Sequence, residues 1–212
     1  MKMTFQAIVA LAAVLLSPFA LASGDAAAGK TNTAVCAACH GQDGNSPTGA
    51  FPKLAGLGEK YLTKQMLDIQ SGSRSVPEMT GMLNTLSKDD IADIAAYYNG
   101  QSRQLSGAQE NDQQLVLGEQ IFRAGNLETA VPACTGCHSP TGSGNTPAGY
   151  PALGGQHAQY IAKQLRAFRT GAHDAAAPAA RLNDESKIMR GVAARMNDQE
   201  IDAVSNYISG LR

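Results

Sequence analysis

The chain of 212 residues contains no tryptophan, and only 5% of it is aromatic. Two domains of about ninety residues each would have few large side chains with which to close their cores, and domains of that size are only moderately stable without a supplement. Charge of one sign is equally scarce. With 17 Lys and Arg against 18 Asp and Glu, the chain lacks the basic excess of a nucleic-acid binder. Long apolar runs are confined to one place, Phe5 to Leu16, which at about ten to twelve residues is too short to span a bilayer. Lys2 precedes it and Ala20-Leu21-Ala22 follows as a small-residue cleavage site, so residues 1–22 read as an export signal and Ser23 as the start of the mature chain.

Cysteine is the fourth scarcity, and its placement is the first positive signal. All four lie in Cys36-Ala-Ala-Cys39-His40 and Cys134-Thr-Gly-Cys137-His138. Export implies the bacterial periplasm or an equivalent oxidising compartment, where four cysteines would ordinarily pair. The spacing argues for something else, because C-x-x-C-H is the attachment sequence of a c-type haem. Each thiol adds across a vinyl group to make a thioether, and the histidine lies under the iron. No thiol remains for a disulfide. A redox dithiol belongs beside a βαβ pattern, which is absent, and a zinc site has no need of His directly after each pair. Two covalently attached haem c groups are expected, held by Cys36, Cys39, Cys134 and Cys137 with His40 and His138 as proximal ligands. They would supply the flat apolar mass that the side chains lack.

Past the signal the chain repeats itself. Pro52, Leu54, Gly56, Tyr61, Lys64, Gln65 and Gly72 recur at a shift of 99 as Pro151, Leu153, Gly155, Tyr160, Lys163, Gln164 and Gly171. Farther on the shift is 110, because the second copy carries a longer Ala-rich stretch around Ala175 to Ala180; Ile91, Tyr97 and Gly100 then fall on Ile201, Tyr207 and Gly210. The periodicity is helical throughout. In the first copy it predicts helices from Asp25 into Cys36, from Glu59 to about Ser71 and from Ser87 to about Asn99, with Ser87/Asp90 and Asn197/Glu200 as capping pairs. Gly100 to Gly107 is polar and aperiodic and reads as a linker. The expected organisation is all-α: a signal at 1–22, an N-terminal domain at 23–103 and a C-terminal domain at 104–212.

A second axial ligand to each iron would come from His or Met. His157 and His173 occur in the second copy alone, aligned with Gly58 and Arg74, and read as solvated loop or helix-end residues. Met66, Met82 and Met196 align with Leu165, Val192 and Leu86, as apolar core positions do. Only Met79 falls on another methionine, Met189, which marks this pair as the distal ligands, a core-filling pair being the alternative. His/Met ligation favours ferrous iron and closes both axial positions, which points to outer-sphere electron transfer rather than catalysis.

These features resemble a class I cytochrome c in each half. The resemblance implies that the Pro52 and Pro151 carbonyls accept the proximal histidine proton and that Gly29 and Gly118 lie where the first and last helices cross. Gly118-x-x-x-Phe122 has the family's aromatic; Gly29 leads instead to Thr33. The stretches Val35 to Asn45, Phe51 to Gly56 and Glu78 to Gly81, with their second-half partners, resemble the dihaem cytochrome c4 family. That likeness implies two tandem class I cytochrome c domains and a periplasmic, monomeric carrier, peripherally associated with the membrane. Its redox partners would be a quinol-oxidising complex or similar donor and a terminal oxidase as acceptor. The competing readings are a haem-bearing, electron-accepting subunit of a periplasmic dehydrogenase such as a sulfide-oxidising flavocytochrome, and a dihaem peroxidase, for which the chain is short and its two Met loops too alike.

Two surface expectations complete the reading. One of each recurring pair, Lys64/Gln65 and Lys163/Gln164, contacts a haem propionate or the facing domain. Seven basic residues against three acidic ones between Lys163 and Arg195 form a docking surface for an acidic partner or scattered solvated charge.

Overall fold

The computed structural model describes residues 24–212, so the signal expected at 1–22 and the start at Ser23 lie outside the described residues. Those residues form two helical lobes, and their only extended pairings are the isolated bridges Asn126–Val131 and Asn145–Tyr150. The N-terminal lobe comprises α1 (Ala26–Thr31), α2 (Ala34–His40), α3 (Glu59–Gln70) and α4 (Lys88–Asn99), with a 3₁₀ turn at Pro77–Met79. The C-terminal lobe repeats the order in α5 (Asp112–Ala124), α6 (Thr135–His138), α7 (Ala158–His173), α8 (Ile188–Ala193) and α9 (Asp198–Gly210).

Both closing helices start as the sequence predicts. Ser87 and Asp90 form a complete capping box at α4, and Asn197 and Glu200 form another at α9. The opening of the first lobe differs from expectation, because the helix predicted from Asp25 into Cys36 is broken at Asn32–Thr33. Thr31 and Thr33 donate their hydroxyls back to the carbonyls of Ala28 and Lys30. Such side-chain bonds compete with the helical ladder. The corresponding α5 runs unbroken for 13 residues from an Asn111 cap to Gly125.

In each lobe the first and last helices cross at a glycine. A Cβ on Gly29 would lie 2.0 Å from the Asp93 carbonyl oxygen, and one on Gly118 would lie 2.2 Å from that of Ala203. Hydrogen is the largest substituent that either crossing admits. The resulting cores are unequal. Leu57, Leu62, Ile94, Ala95 and Tyr98 make the first, whereas the second is larger and includes Ile121, Phe122, Ile161, Leu165, Met196, Ile201 and Val204.

The predicted linker is pinned to both lobes. Arg103 donates from Nε to the Ala55 carbonyl of one lobe and from Nη1 to the Ala152 and Gly154 carbonyls of the other. Burial, with no carboxylate beside it, pushes the Arg103 guanidinium down to about 10. Beside it Gln156 exchanges two hydrogen bonds with the Lys53 backbone, at 2.9 and 2.8 Å, across the junction. His157, expected to be solvated, is instead a clasp. Its Nε2 donates to the Ser46 carbonyl at 2.9 Å, and its Nδ1 lies 2.9 Å from the Ser106 hydroxyl. His173 is exposed at the end of α7, as expected.

Candidate haem sites

Each C-x-x-C-H run delivers its histidine inward at the end of a short helix, α2 or α6, while the chain turns away at a residue of positive φ, Gly41 or Ser139. His40 and His138 are 6% and 7% exposed. Their Nδ1 atoms donate to the Pro52 and Pro151 carbonyls, both at 2.9 Å. That bond fixes the tautomer and leaves Nε2 with its lone pair free, as a metal ligand requires. Burial penalises the imidazolium and pushes both histidines below their ordinary value, against a smaller upward pull from the proline carbonyl. A neutral ring is the ligating form.

A cavity of about 1230 Å³ includes the space over His40 and extends across the junction to second-lobe residues such as Lys163 and Asn206. Cys36, Cys39, Leu54, Leu62, Ile94 and Met79 are among its lining residues. A flat apolar group held by two thioethers fits this set. In the second lobe Cys134 and Met189 pack against one core cluster, and burial pushes the Cys134 thiol up to about 11.

The remaining methionines divide as the repeat predicts in two cases of three. Met196 is buried and Met66 packs on the first core. Met82, expected in the core, is 36% exposed and lines the rim of the cavity.

Between the lobes the recurring glutamines do face the partner lobe. Gln65 Oε1 accepts from Arg74, Arg181 and Asn183 at 2.8, 2.8 and 2.9 Å. Gln164 Oε1 accepts from Arg74 at 3.2 Å and Arg181 at 2.6 Å. Each arginine also reaches the tyrosine of the opposite lobe, Arg74 to Tyr160 and Arg181 to Tyr61. Burial alone would raise the Tyr61 phenol, but Arg181 and Arg74 outweigh it and hold the group below its usual value. Lys64 crosses too, to Glu185 at 2.8 Å and the Asn183 carbonyl at 3.1 Å, whereas the exposed Lys163 only approaches Glu78 at 3.5 Å.

The two arginines escaped the sequence comparison, in which Arg74 aligned with His173. The backbone shows their equivalence. Arg74 N donates to the Asp68 carbonyl and Arg181 N to that of Ala167, residues related by the shift of 99. The Ala-rich insertion lies before Arg181 and hid the match. The basic excess between Lys163 and Arg195 is largely consumed within the molecule. Arg166 and Arg169 pair with Asp198, Arg166 also with Asp202, Arg190 with Asp184, and Arg181 is buried at the junction. That leaves little free charge for the docking surface considered above.

Comparison with known proteins agrees with this geometry. The profile of the family described as cytochrome c matches residues 26–101 and 115–212. The chain is 53% identical to a cytochrome c4 of Pseudomonas aeruginosa over 92% of its length and 93% of the relative's. It is 34% identical to a thiosulfate dehydrogenase electron acceptor of Stutzerimonas stutzeri over 83% of its length and 78% of the relative's. A crystal structure of reduced recombinant cytochrome c4 from Pseudomonas stutzeri superposes with a TM-score of 0.82 at 51% identity, covering 89% of this chain and all of that one. Two buried, proline-oriented histidines, each behind a pair of cysteines in tandem all-α lobes, are thereby accounted for: the chain belongs to the dihaem cytochrome c4 family, periplasmic electron carriers rather than enzymes, with two covalently bound haem c groups.

Proposed function

We propose that His40 with Met79, and His138 with Met189, are the axial pairs of the two irons. The protein would then pass single electrons from a quinol-oxidising complex or similar respiratory donor to a terminal oxidase. The observation that carries this reading is the doubled proximal geometry, with Met79 on the wall of the His40 cavity and Met189 seated on the cluster that holds Cys134. Domain limits of 23–103 and 104–212 are supported by the position of the pinned linker.

When bound, each haem supplies a one-electron iron couple whose potential a thioether ligand raises. The chain's own residues do the rest. Pro52 and Pro151 hold the imidazoles in one orientation, Leu54, Leu62 and Ile94 exclude water from the first site, and the helical crossings keep both oxidation states in nearly the same shape. The paired glutamines and arginines between the lobes provide a polar contact across the junction.

A redox titration followed by visible spectroscopy tests the ligand assignment. Met79→Ala and Met189→Ala should each abolish the weak far-red sulfur-to-iron band of one oxidised haem. Persistence of the band at full strength in either variant would remove that methionine.

A second reading, the electron-accepting subunit of a periplasmic dehydrogenase, is supported by the 34% identity to a thiosulfate dehydrogenase electron acceptor. Stable co-purification with a dehydrogenase that reduces the protein directly would favour it over the oxidase donor role.

A further inference from the structure

The lobes correspond helix for helix, yet one hydroxyl of the first has no counterpart in the second. Tyr98 on α4 is 1% exposed, and its hydroxyl is one of the few buried polar atoms with no hydrogen-bond partner among the described residues. A buried phenol left in that condition is destabilising until it finds an acceptor. It lines the cavity over His40 beside Cys36, which packs against the cluster that contains Tyr98, and Thr33 is the nearby hydroxyl. Thr33 already spends its own proton on the Lys30 carbonyl at 2.9 Å. At the matching position of the second lobe stands Ile208, and there the Cys134 sulfur meets only the Ile121 carbonyl, at 3.9 Å.

The chemistry of Cys36 changes when it carries the haem. A thiol can give or accept a hydrogen bond, whereas a thioether sulfur can only accept. We propose that the Tyr98 hydroxyl donates a hydrogen bond to the Cys36 sulfur in the haem-bearing protein and is the tuning residue that raises the reduction potential of the N-terminal haem. The positive end of the O–H dipole, fixed in a site from which water is excluded, favours the electron-rich ferrous state over the ferric one. The C-terminal haem has no such donor. A difference between the two potentials is therefore built into α4 and α9, independently of which methionine ligates either iron.

The test is a potentiometric titration of the full-length protein carrying both haems, each one-electron step being assigned to its lobe by paramagnetically shifted proton resonances. Tyr98→Phe keeps the ring and removes only the oxygen. The expected result is a downward shift of the N-terminal step with the C-terminal step unmoved. No shift, or an equal shift of both steps, overturns the proposal; so does loss of thermal stability with both potentials retained, which is what a purely structural phenol would give. The reciprocal variant, Phe122→Thr with Ile208→Tyr, moves the aromatic mass of the first lobe into the second. If folded, it should raise the C-terminal step, and a folded variant with that step unmoved overturns the proposal. If that variant does not fold, Tyr98→Phe alone decides.

Discussion

The two lobes solve one packing problem with the aromatic ring on opposite helices. In the C-terminal lobe the ring comes from the first helix: Phe122 follows Gly118 by one turn, is fully buried, and meets Tyr207 with ring centroids 5.7 Å apart. In the N-terminal lobe Thr33 occupies that place and the ring comes from the last helix as Tyr98, while the second lobe has Ile208 there. The division of the bulk between the helices is reversed. Duplicated domains thus keep the glycine that permits the crossing and trade the residues around it. The trade has a structural by-product, since Thr33 interrupts α1 where Phe122 lets α5 continue.

The most damaging way to break this comparison is at the element the lobes share. Gly29→Val and Gly118→Val each force a side chain into a carbonyl of the crossing helix, and each should cost about 3 kcal/mol or more, read as loss of the cooperative transition of the affected lobe in thermal unfolding. Next comes the element they do not share. Phe122→Ala should cost about 3–5 kcal/mol, whereas Thr33→Ala, which removes one hydroxyl bond, should cost about 1 kcal/mol; denaturant unfolding of both variants checks the ratio. At the junction, Gln65→Leu should destabilise docking more than Gln164→Leu. It strips the acceptor from Arg74, Arg181 and Asn183, against two arginines for Gln164, and about 1.5–3 kcal/mol is at stake for bonds to charged groups. Splitting of one unfolding transition into two is the measurement, and equal effects would refute the asymmetry.

The smallest effect concerns pH. Burial, and secondarily the charge of Lys53, lower the His157 value against the pull of the Ser46 carbonyl, so the undocked ring binds protons more readily than the docked one. The clasp therefore contributes fully above the ordinary value of 6.5 and weakens as pH falls through it towards the docked value. Stability measured from pH 7.5 to 5 should fall less steeply in His157→Asn than in the parent chain.

Much of this architecture was legible in the sequence because repetition converts ambiguous residues into paired ones. The capping boxes recur in both copies, as do Gln65 and Gln164, whose repetition marked them for a haem propionate or the facing domain, while the glycine crossings and the proline carbonyls on His40 and His138 followed from the resemblance to class I cytochromes c. What escaped either lacks a copy or has one displaced by the insertion. His157 and Lys53 stand opposite Gly58 and Ala152, so the repeat gives them no role, and their contacts depend on how the lobes dock. Arg74 and Arg181 are true counterparts, but the insertion between Gly171 and Arg181 moved them out of register. The linker's position is legible but its pinning is not, because polarity and missing periodicity describe a segment without helical structure, and a chain whose carbonyls and side chains are spent on tertiary contacts looks the same.

Arg103 gives that linker a further consequence. By tying the connecting strand to the carbonyls of both lobes, it turns a flexible tether into a fixed spacer, and the encounter between the two redox centres ceases to depend on diffusion. Dilution cannot separate them. An electron arriving at one lobe would find its neighbour in one fixed relation, set by the carbonyls that Arg103 holds.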